Sequence, residues 1–185
     1  KSEAAPKLKI EIGSEAVIQS GTNDEVVIRV ESSHTATALG VNPDALFLIG
    51  IVEAEAKVGG SIEVSIGGNI VHAGSLTLEL HSANQAIAIG QALAVGPLGG
   101  TGVKTTAVVE PTISTYVSPN SNIQVGGNFT IRTLAEDAAL AISRGTAIGG
   151  GFAVGVGIDD PVDREAAAVQ RRDPGDAAVI RLHDR

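Results

Sequence analysis

The sequence predicts an all-β chain folded as a parallel β-helix, in which strands of successive repeats stack on one another. Three observations support this prediction. Apolar and polar residues alternate, as in Ile62, Val64 and Ile66 with Glu63 and Ser65 between them, and a period of two is typical of strands with one buried face. A pattern of features recurs about every 50–53 residues. Aromatic residues are scarce, which favours a thin core.

The composition limits both the core and the partners of the chain. Of its 185 residues, 43% are hydrophobic and 18% are charged, so the chain is too apolar to be disordered. It has three Phe, one Tyr and no Trp or Met, so Val, Ile, Leu and Ala must fill the core. The net charge of −8 disfavours nucleic acid as a partner. The longest apolar run, 147–158, is too short and rich in glycine for a membrane span.

The repeat has three copies, which we place at about 8–57, 61–110 and 112–158. Within them, matching segments share the same order of apolar and small residues. The matches are 35–40 with 85–90, 87–89 with 140–142, Gly50 with Gly100, Gly74 with Gly127, Gly96 with Gly149, and Gly102 with Gly155. Paired glycines at similar places indicate corners, where a positive φ or a close backbone approach is needed.

The usual coil of a β-helix holds about 20 residues, so we expect two to three coils per repeat and a rod of about 35–40 Å from eight coils. One segment, 134–144, also has the composition of a short helix, but its correspondence to 86–89 predicts a strand. A β-sandwich of two packed sheets is the alternative fold. The scarcity of aromatic residues argues against it.

The chain divides into a repetitive array, 1–158, and a charged C-terminal cap or tail, 159–185. The tail holds 12 of the 34 charged residues. Segment 162–171 has the length of a short helix, and 177–182 reads as a last strand. An array of stacked strands needs a polar end, since an open edge otherwise pairs with the next molecule. A junction to a further element is the other interpretation of the tail.

Two segments resemble a known family. PTISTYVSPNSNIQVGGNFTIR (111–132) and the glycine-rich IGGGFAVGVG (148–157) are similar to repeats of very large bacterial filamentous adhesins of the haemagglutinin and leukotoxin-adhesin type. The resemblance covers about residues 8–158. It implies secretion, a β-helical rod, and a role in adhesion or matrix building, with no catalytic residues to transfer. The charged tail departs from the family pattern.

Motifs that support chemistry are incomplete. The chain has no Cys, which excludes disulfides, thiolate metal sites and a Cys nucleophile. The glycine-rich segment 96–105 looks like a phosphate-binding loop, but Val103 separates Gly102 from Lys104, so the motif G-x-x-x-x-G-K-[ST] is not met. We expect a corner between strands there. The sequon Asn128-Phe-Thr130 is expected to begin a strand.

Histidines and carboxylates form the remaining candidate sites. His72, His81 and Glu79 would make a metal site only if all three converged, and His72 has no counterpart in the other copies. Paired carboxylates would serve a carbohydrate-active enzyme, and the candidates are Glu53, Glu55, Asp159, Asp160 and Asp163. Such sites usually have aromatic platforms for sugar rings, and the chain has only four aromatic residues. We therefore expect no catalytic, cofactor-binding or metal-binding residue.

The function expected from these features is non-catalytic. We expect a structural or adhesive module of a secreted bacterial surface protein, located outside the cell and using no cofactor. Its partners would be a host or neighbouring-cell surface, or copies of itself through end-to-end or strand-edge contacts, with 8–12 and 177–182 as candidate edges. The alternatives are a self-assembling subunit of an extracellular filament or matrix and, less favoured, a carbohydrate-active β-helix enzyme.

Overall fold

A computed structural model describes residues 1–42, 49–95, 98–119, 121–148, 152–163, 166–172 and 177–181. For the last three ranges, and for 49–50, 69, 71–72, 94–95, 98–101 and 147–148, it describes the backbone alone. The described residues form strands and turns without a helix. In chain order the strands are β1 (Ser2–Ala4), β2 (Lys7–Ile12), β3 (Val17–Gln19), β4 (Glu25–Asn42), β5 (Ile49–Val58), β6 (Ser61–Ile66), β7 (Asn69–Ala73), β8 (Ser75–Val95), β9 (Leu98–Val109), β10 (Thr112–Val117), β11 (Asn122–Val125), β12 (Phe129–Ile148), β13 (Phe152–Asp163), β14 (Ala166–Arg172) and β15 (Ala177–Arg181). The all-β prediction is confirmed.

The strands pair in four parallel sheets, and each repeat contributes one strand to each sheet. The first sheet has the order β1-β5-β9-β13, the second β15-β14-β10-β6-β2, the third β11-β7-β3 and the fourth β12-β8-β4. Only the pairing of β14 with β15 is antiparallel among the described strands. This parallel pairing differs from the antiparallel sheets of the sandwich considered as an alternative.

The spacing between paired residues is the length of the repeat itself. Ser2 pairs with Ala56 in the first sheet, and Glu25 pairs with Ser75 in the fourth. The expectation of 20-residue coils, and with it the rod of eight coils, is therefore wrong. The reason is the length of the strands, since β8 and β12 span 21 and 20 residues. One repeat therefore forms a single coil, with one strand in each of the four sheets.

The predicted matches between repeats are confirmed in the fourth sheet and wrong by one residue in the first. Ala36 pairs with Ala86, and Leu140 pairs with Ile87, as the repeat predicts. Gly100, however, pairs with Ile49 rather than Gly50, and Gly102 pairs with Val156 rather than Gly155. The connection from the fourth sheet to the first differs in length by one residue between repeats. The residue offset that matches two repeats in the fourth sheet is therefore wrong by one in the first sheet. The match of Gly96 with Gly149 lies outside the described residues.

The described part of the core contains three apolar clusters, of which the two larger lie side by side along the fourth sheet and the third is a small group of Val52, Ala92 and Val103. The first cluster is built from large aliphatic side chains, including Leu76, Leu78 and Leu80, which are fully buried against the second and third sheets. The alternation of these leucines with Thr77 and Glu79 turns every second side chain inward. Complete burial of each leucine contributes about 1.5–3 kcal/mol relative to an exposed one.

The second cluster is a thin layer of alanines between the first and fourth sheets. Ala56, Ala86, Ala88 and Ala107 are fully buried there. The backbones come close enough that a Cβ built on Gly90 would lie 2.3 Å from Cγ1 of Val103. The expected thin core of small side chains thus forms one half of the molecule, while Leu, Ile and Val fill the other half.

The C-terminal strands continue the stacking. β13 runs past residue 158, where the array was expected to end, and β14 adds a strand to the second sheet. The helix considered for 162–171 is wrong, since its described residues, 162–163 and 166–171, lie in β13 and β14. The last strand expected at 177–182 is β15, and it forms one edge of the second sheet, while β2 forms the other. The role of 159–185 as a cap stays a prediction.

Candidate functional site

Charged side chains on the outer surface join neighbouring repeats. Arg29 of β4 and Glu79 of β8 are paired residues, and their side chains form an ion pair, with Nη2 2.8 Å and Nε 3.0 Å from Oε2. Lys1 binds Glu55 at 3.0 Å, and Lys57 binds Glu110. The carboxylate of Glu110 raises the pKa of Lys57, chiefly through the hydrogen bond. These charges are balanced across the repeats, so they do not gather into a cleft with one sign of charge.

A second set of outer contacts surrounds Glu63. The carboxylate accepts a hydrogen bond from the hydroxyl of Tyr116, and Nζ of Lys9 lies 3.8 Å away. That hydrogen bond to Glu63 raises the pKa of Tyr116, and burial raises it further. The pKa of Lys9 is raised as well, first by its hydrogen bond to Glu11 and then by the charges of Glu11 and Glu63. The group links β2, β6 and β10 across all three repeats.

A polar ladder runs through the interior of the fourth sheet, between the two larger apolar clusters. His34, Asn84 and Asp137 occupy paired positions of β4, β8 and β12. Oδ1 of Asn84 lies 3.2 Å from Nδ1 of His34, and its amide nitrogen donates to Asp137 at 2.7 Å and to Ser82 at 3.0 Å. Asn84 is 3% exposed, so these hydrogen bonds satisfy a polar group that would otherwise be costly to bury. Buried polar groups of this kind favour one alignment of the strands over its neighbours.

The segment that resembles a phosphate loop is a strand over its described part. Lys104 lies in β9, between Glu53 of β5 and Ile158 of β13, and its side chain is exposed. A phosphate loop needs successive backbone N–H groups that point at one anion, whereas these N–H groups belong to a sheet. The expected corner is therefore wrong for 98–105, because these residues lie within β9; residues 96–97 lie outside the described residues.

The predicted metal and carboxylate candidates do not converge where they are described. The carboxylate in contact with His81 is that of Glu136, at 3.4 Å from Nε2, and not the predicted Glu79. The side chain of His72 lies outside the described residues. Glu53 and Glu55 share the outer face of β5, and Glu55 is held by Lys1. The side chains of Asp159, Asp160 and Asp163 lie outside the description as well. No group of three His, Asp or Glu residues suited to a metal ion occurs among the described residues.

The outer face of the fourth sheet has an apolar patch that sequence reasoning missed. We define this apolar patch by six residues, which are Leu39, Val41, Ile87, Ile89, Leu140 and Ile142. Leu39 is 68% exposed and Leu140 is 47% exposed. Alanines such as Ala86 and Ala88 occupy the inner face of the same segment. The signal was in the sequence, because both alternating positions are apolar in 86–89 and 139–142, which means that both faces of the sheet are apolar there.

A shallow groove lies at the end of the apolar patch. Its volume is about 270 Å³, and its lining includes Val41, Gln91, Leu93 and Arg144. Gln91 pairs with Val41 on one side and with Arg144 on the other, so the three side chains share the outer face. The patch thus ends at a cationic group that can bind a carboxylate. This combination of exposed aliphatic surface and a flanking charge makes the face suitable for binding another macromolecule.

No helix in the described ranges is long and apolar enough to cross a membrane. Comparisons with models of protein families, with curated proteins and with solved structures find no match for this chain. The resemblance to filamentous adhesins therefore stays a prediction.

Proposed function

We propose that the chain is a non-catalytic structural or adhesive module of a secreted bacterial surface protein, and that its four sheets are the faces of a parallel β-solenoid. The observation that supports this most strongly is the register of the fourth sheet, in which β12 pairs with β8 from Phe129 to Ile148 without a shift. Like residues stack in this way, with Leu76 between Val26 and Phe129. Continuous stacking of equivalent side chains is typical of solenoids.

The chemistry of the described surface also supports a structural role. Arg29 and Glu79 form an ion pair between repeats on the outside, and Asn84 hydrogen-bonds to Asp137 of the next repeat in the interior. Groups used in this way hold the stack in register. The secreted and bacterial setting of the proposal rests on the resemblance to adhesin repeats.

Small-angle X-ray scattering tests the proposed architecture. A solenoid of this design has a long axis set by β8, whose 21 residues extend about 65 Å. We expect a radius of gyration of about 20 Å at zero concentration, against about 16 Å for a globular chain of this length. Far-ultraviolet circular dichroism should show strand without helix. A compact particle or a helical spectrum would contradict the proposal.

Adhesion is tested with beads that carry the chain. Beads coated with the folded chain should be retained on bacterial or host cell surfaces more strongly than beads coated with the thermally unfolded chain. The unfolded chain is the matched control because it has the same composition and net charge. Equal retention of the two would exclude an adhesive role and leave only the structural one.

A self-assembling subunit of a filament or matrix is the second candidate function. It is favoured by the edges of the second sheet, where β2 and β15 lie as the sequence predicted. An edge strand offers unpaired N–H and C=O groups to another chain. Electron microscopy at high protein concentration should then show polymers, and single particles at every concentration would contradict this candidate.

A further inference from the structure

The apolar patch has an arrangement of charges that identifies its partner. Glu136 and Arg144 lie on the same outer face of β12, four residues before and four residues after Leu140. At about 3.3 Å per residue, each charge is about 13 Å from Leu140, on opposite sides. The side chain of Glu136 is 74% exposed, and Arg144 is exposed. A surface with opposite charges placed symmetrically about its centre is complementary to itself.

We propose that the apolar patch packs face to face against the same patch of a second copy of this chain. The two-fold axis runs along the stacking direction, through the paired residues Thr37, Ile87 and Leu140. The strands of the two copies then cross the interface in opposite directions, and Glu136 of each copy lies opposite Arg144 of the other. The inference rests on the structural role proposed above and names a partner for that role.

The sizes of the side chains fit the same axis. Two residues after the axis the outer face has Leu39, Ile89 and Ile142. Two residues before it, the face has the smaller or more polar Thr35, Gln85 and Ala138. The two-fold places each large side chain of one copy opposite a smaller one of the other, so the two faces interdigitate at the separation of about 10 Å that is usual for packed sheets.

A two-fold axis parallel to the strands gives a poorer fit. That axis would exchange β4 with β12, so Arg144 would lie opposite Val41 and Glu136 opposite Ser33. Both charges would then lose water without gaining a partner, which is unfavourable. His81 lies on the same face, with its Nε2 3.4 Å from Oε1 of Glu136.

Exchange of the two charges tests the proposal. The variants are Glu136→Arg, Arg144→Glu and the double variant that combines them, measured by sedimentation velocity over a wide range of concentration. The wild type should dimerise, and each single variant should raise the dissociation constant roughly tenfold because two like-charged contacts replace two ion pairs. The double variant should return close to the wild-type value. A wild type that stays monomeric, or a double variant no better than the single ones, would overturn the proposal.

A substitution in the centre of the patch provides an independent test. Leu140→Asp should give a monomer, since two carboxylates would be buried beside each other at the axis. The matched control is Ile51→Asp, because Ile51 is 73% exposed on β5 of the first sheet. That variant should dimerise as the wild type does, and circular dichroism checks that both variants are folded. Equal loss of dimer in both variants would contradict the assigned face, whereas a wrong solenoid architecture would show in the scattering of the monomeric Leu140→Asp variant.

Discussion

The turn between the first and second sheets requires a glycine at position 60. Its φ is 97°, in the left-handed region, and a Cβ built on it would lie 2.1 Å from the carbonyl oxygen of Pro6. The backbone N–H of Ser61 donates to that same oxygen at 3.0 Å. The close approach of the two turns is therefore part of the stacking between repeats.

We predict that Gly60→Ala destabilises the chain by about 2–4 kcal/mol, because the substitution adds both a strained φ and a steric clash. The measurement is the free energy of unfolding in urea. Gly13→Ala is the control, since a Cβ there meets no atom within 4 Å. It should change the free energy by less than about 1 kcal/mol. Equal effects of the two substitutions would contradict the geometry of this turn.

Tyr116 offers a spectroscopic test of the group around Glu63, because it is the one tyrosine of the chain. Its pKa is raised first by the hydrogen bond to Glu63. Absorbance of the phenolate should therefore show a higher midpoint in the native chain than in denaturant. Glu63→Gln should move the native midpoint back towards the unfolded value. A native midpoint at or below the unfolded one would show that this hydrogen bond is absent.

The direction of this shift also gives a pH dependence of stability. Because the folded pKa lies above the unfolded value of about 10, the contribution of Tyr116 is complete below that pH and is lost as the pH rises through the folded pKa. Tyr116→Phe should lower the free energy of unfolding at neutral pH. The difference from the wild type should shrink in alkali.

At the scale of elements, the first and fourth sheets approach each other through a line of small residues. Gly40, Gly90 and Ser143 are paired in β4, β8 and β12. Ser143 is hydrogen-bonded to Thr105 at 2.9 Å, and Cβ atoms on Gly40 and Gly90 would come within 2.7 Å and 2.3 Å of valine side chains. The glycines are needed here for close packing rather than for a turn.

We predict that Gly90→Ala costs about 1–3 kcal/mol through overpacking against Val103. Val103→Ala alone should also destabilise, since Val103 is 2% exposed. The loss of unfolding free energy in the double variant should be smaller than the sum of the two single losses by about 1 kcal/mol, because the shorter side chain makes room for the new methyl group. Gly102→Ala is the control, with its nearest contact at an ordinary 3.7 Å. Strict additivity would contradict the close approach.

At the scale of the whole molecule, the parallel stack makes almost every strand contact distant in sequence. Pairs such as Lys7 with Ser61 join residues one repeat apart, and the described sheets hold a single antiparallel pair, β14 with β15. The chain must close long loops before these contacts stabilise it, and such topologies fold slowly.

We predict that the chain refolds on a timescale of about seconds or longer. The measurement is circular dichroism recorded after dilution from denaturant. Addition of a prolyl isomerase is the control, because the chain has seven prolines. The main phase should keep its rate in the presence of the isomerase. A main phase complete within milliseconds would be incompatible with this pairing of strands.

The sequence by itself determined the strand character and the repeat. Alternation of apolar and polar residues places Leu76, Leu78 and Leu80 on one face, and no tertiary information is needed for that prediction. The match of 87–89 with 140–142 likewise follows from the repeat, and it outweighed the helical composition of 134–144. Local pattern suffices in these cases because the side-chain direction of a strand depends only on its own backbone.

Only the tertiary structure decided which strands pair and what their outer faces do. A period of about 50 residues is compatible with several short coils or with one long one, and the choice depends on which backbone lies beside β8. The cross-strand partners of Glu63, Asn84 and Glu79 follow from that choice, since they come from other repeats. The symmetric placement of Glu136 and Arg144 about Leu140 also depends on the tertiary structure. It indicates an interface only because β12 is a strand with an exposed apolar face.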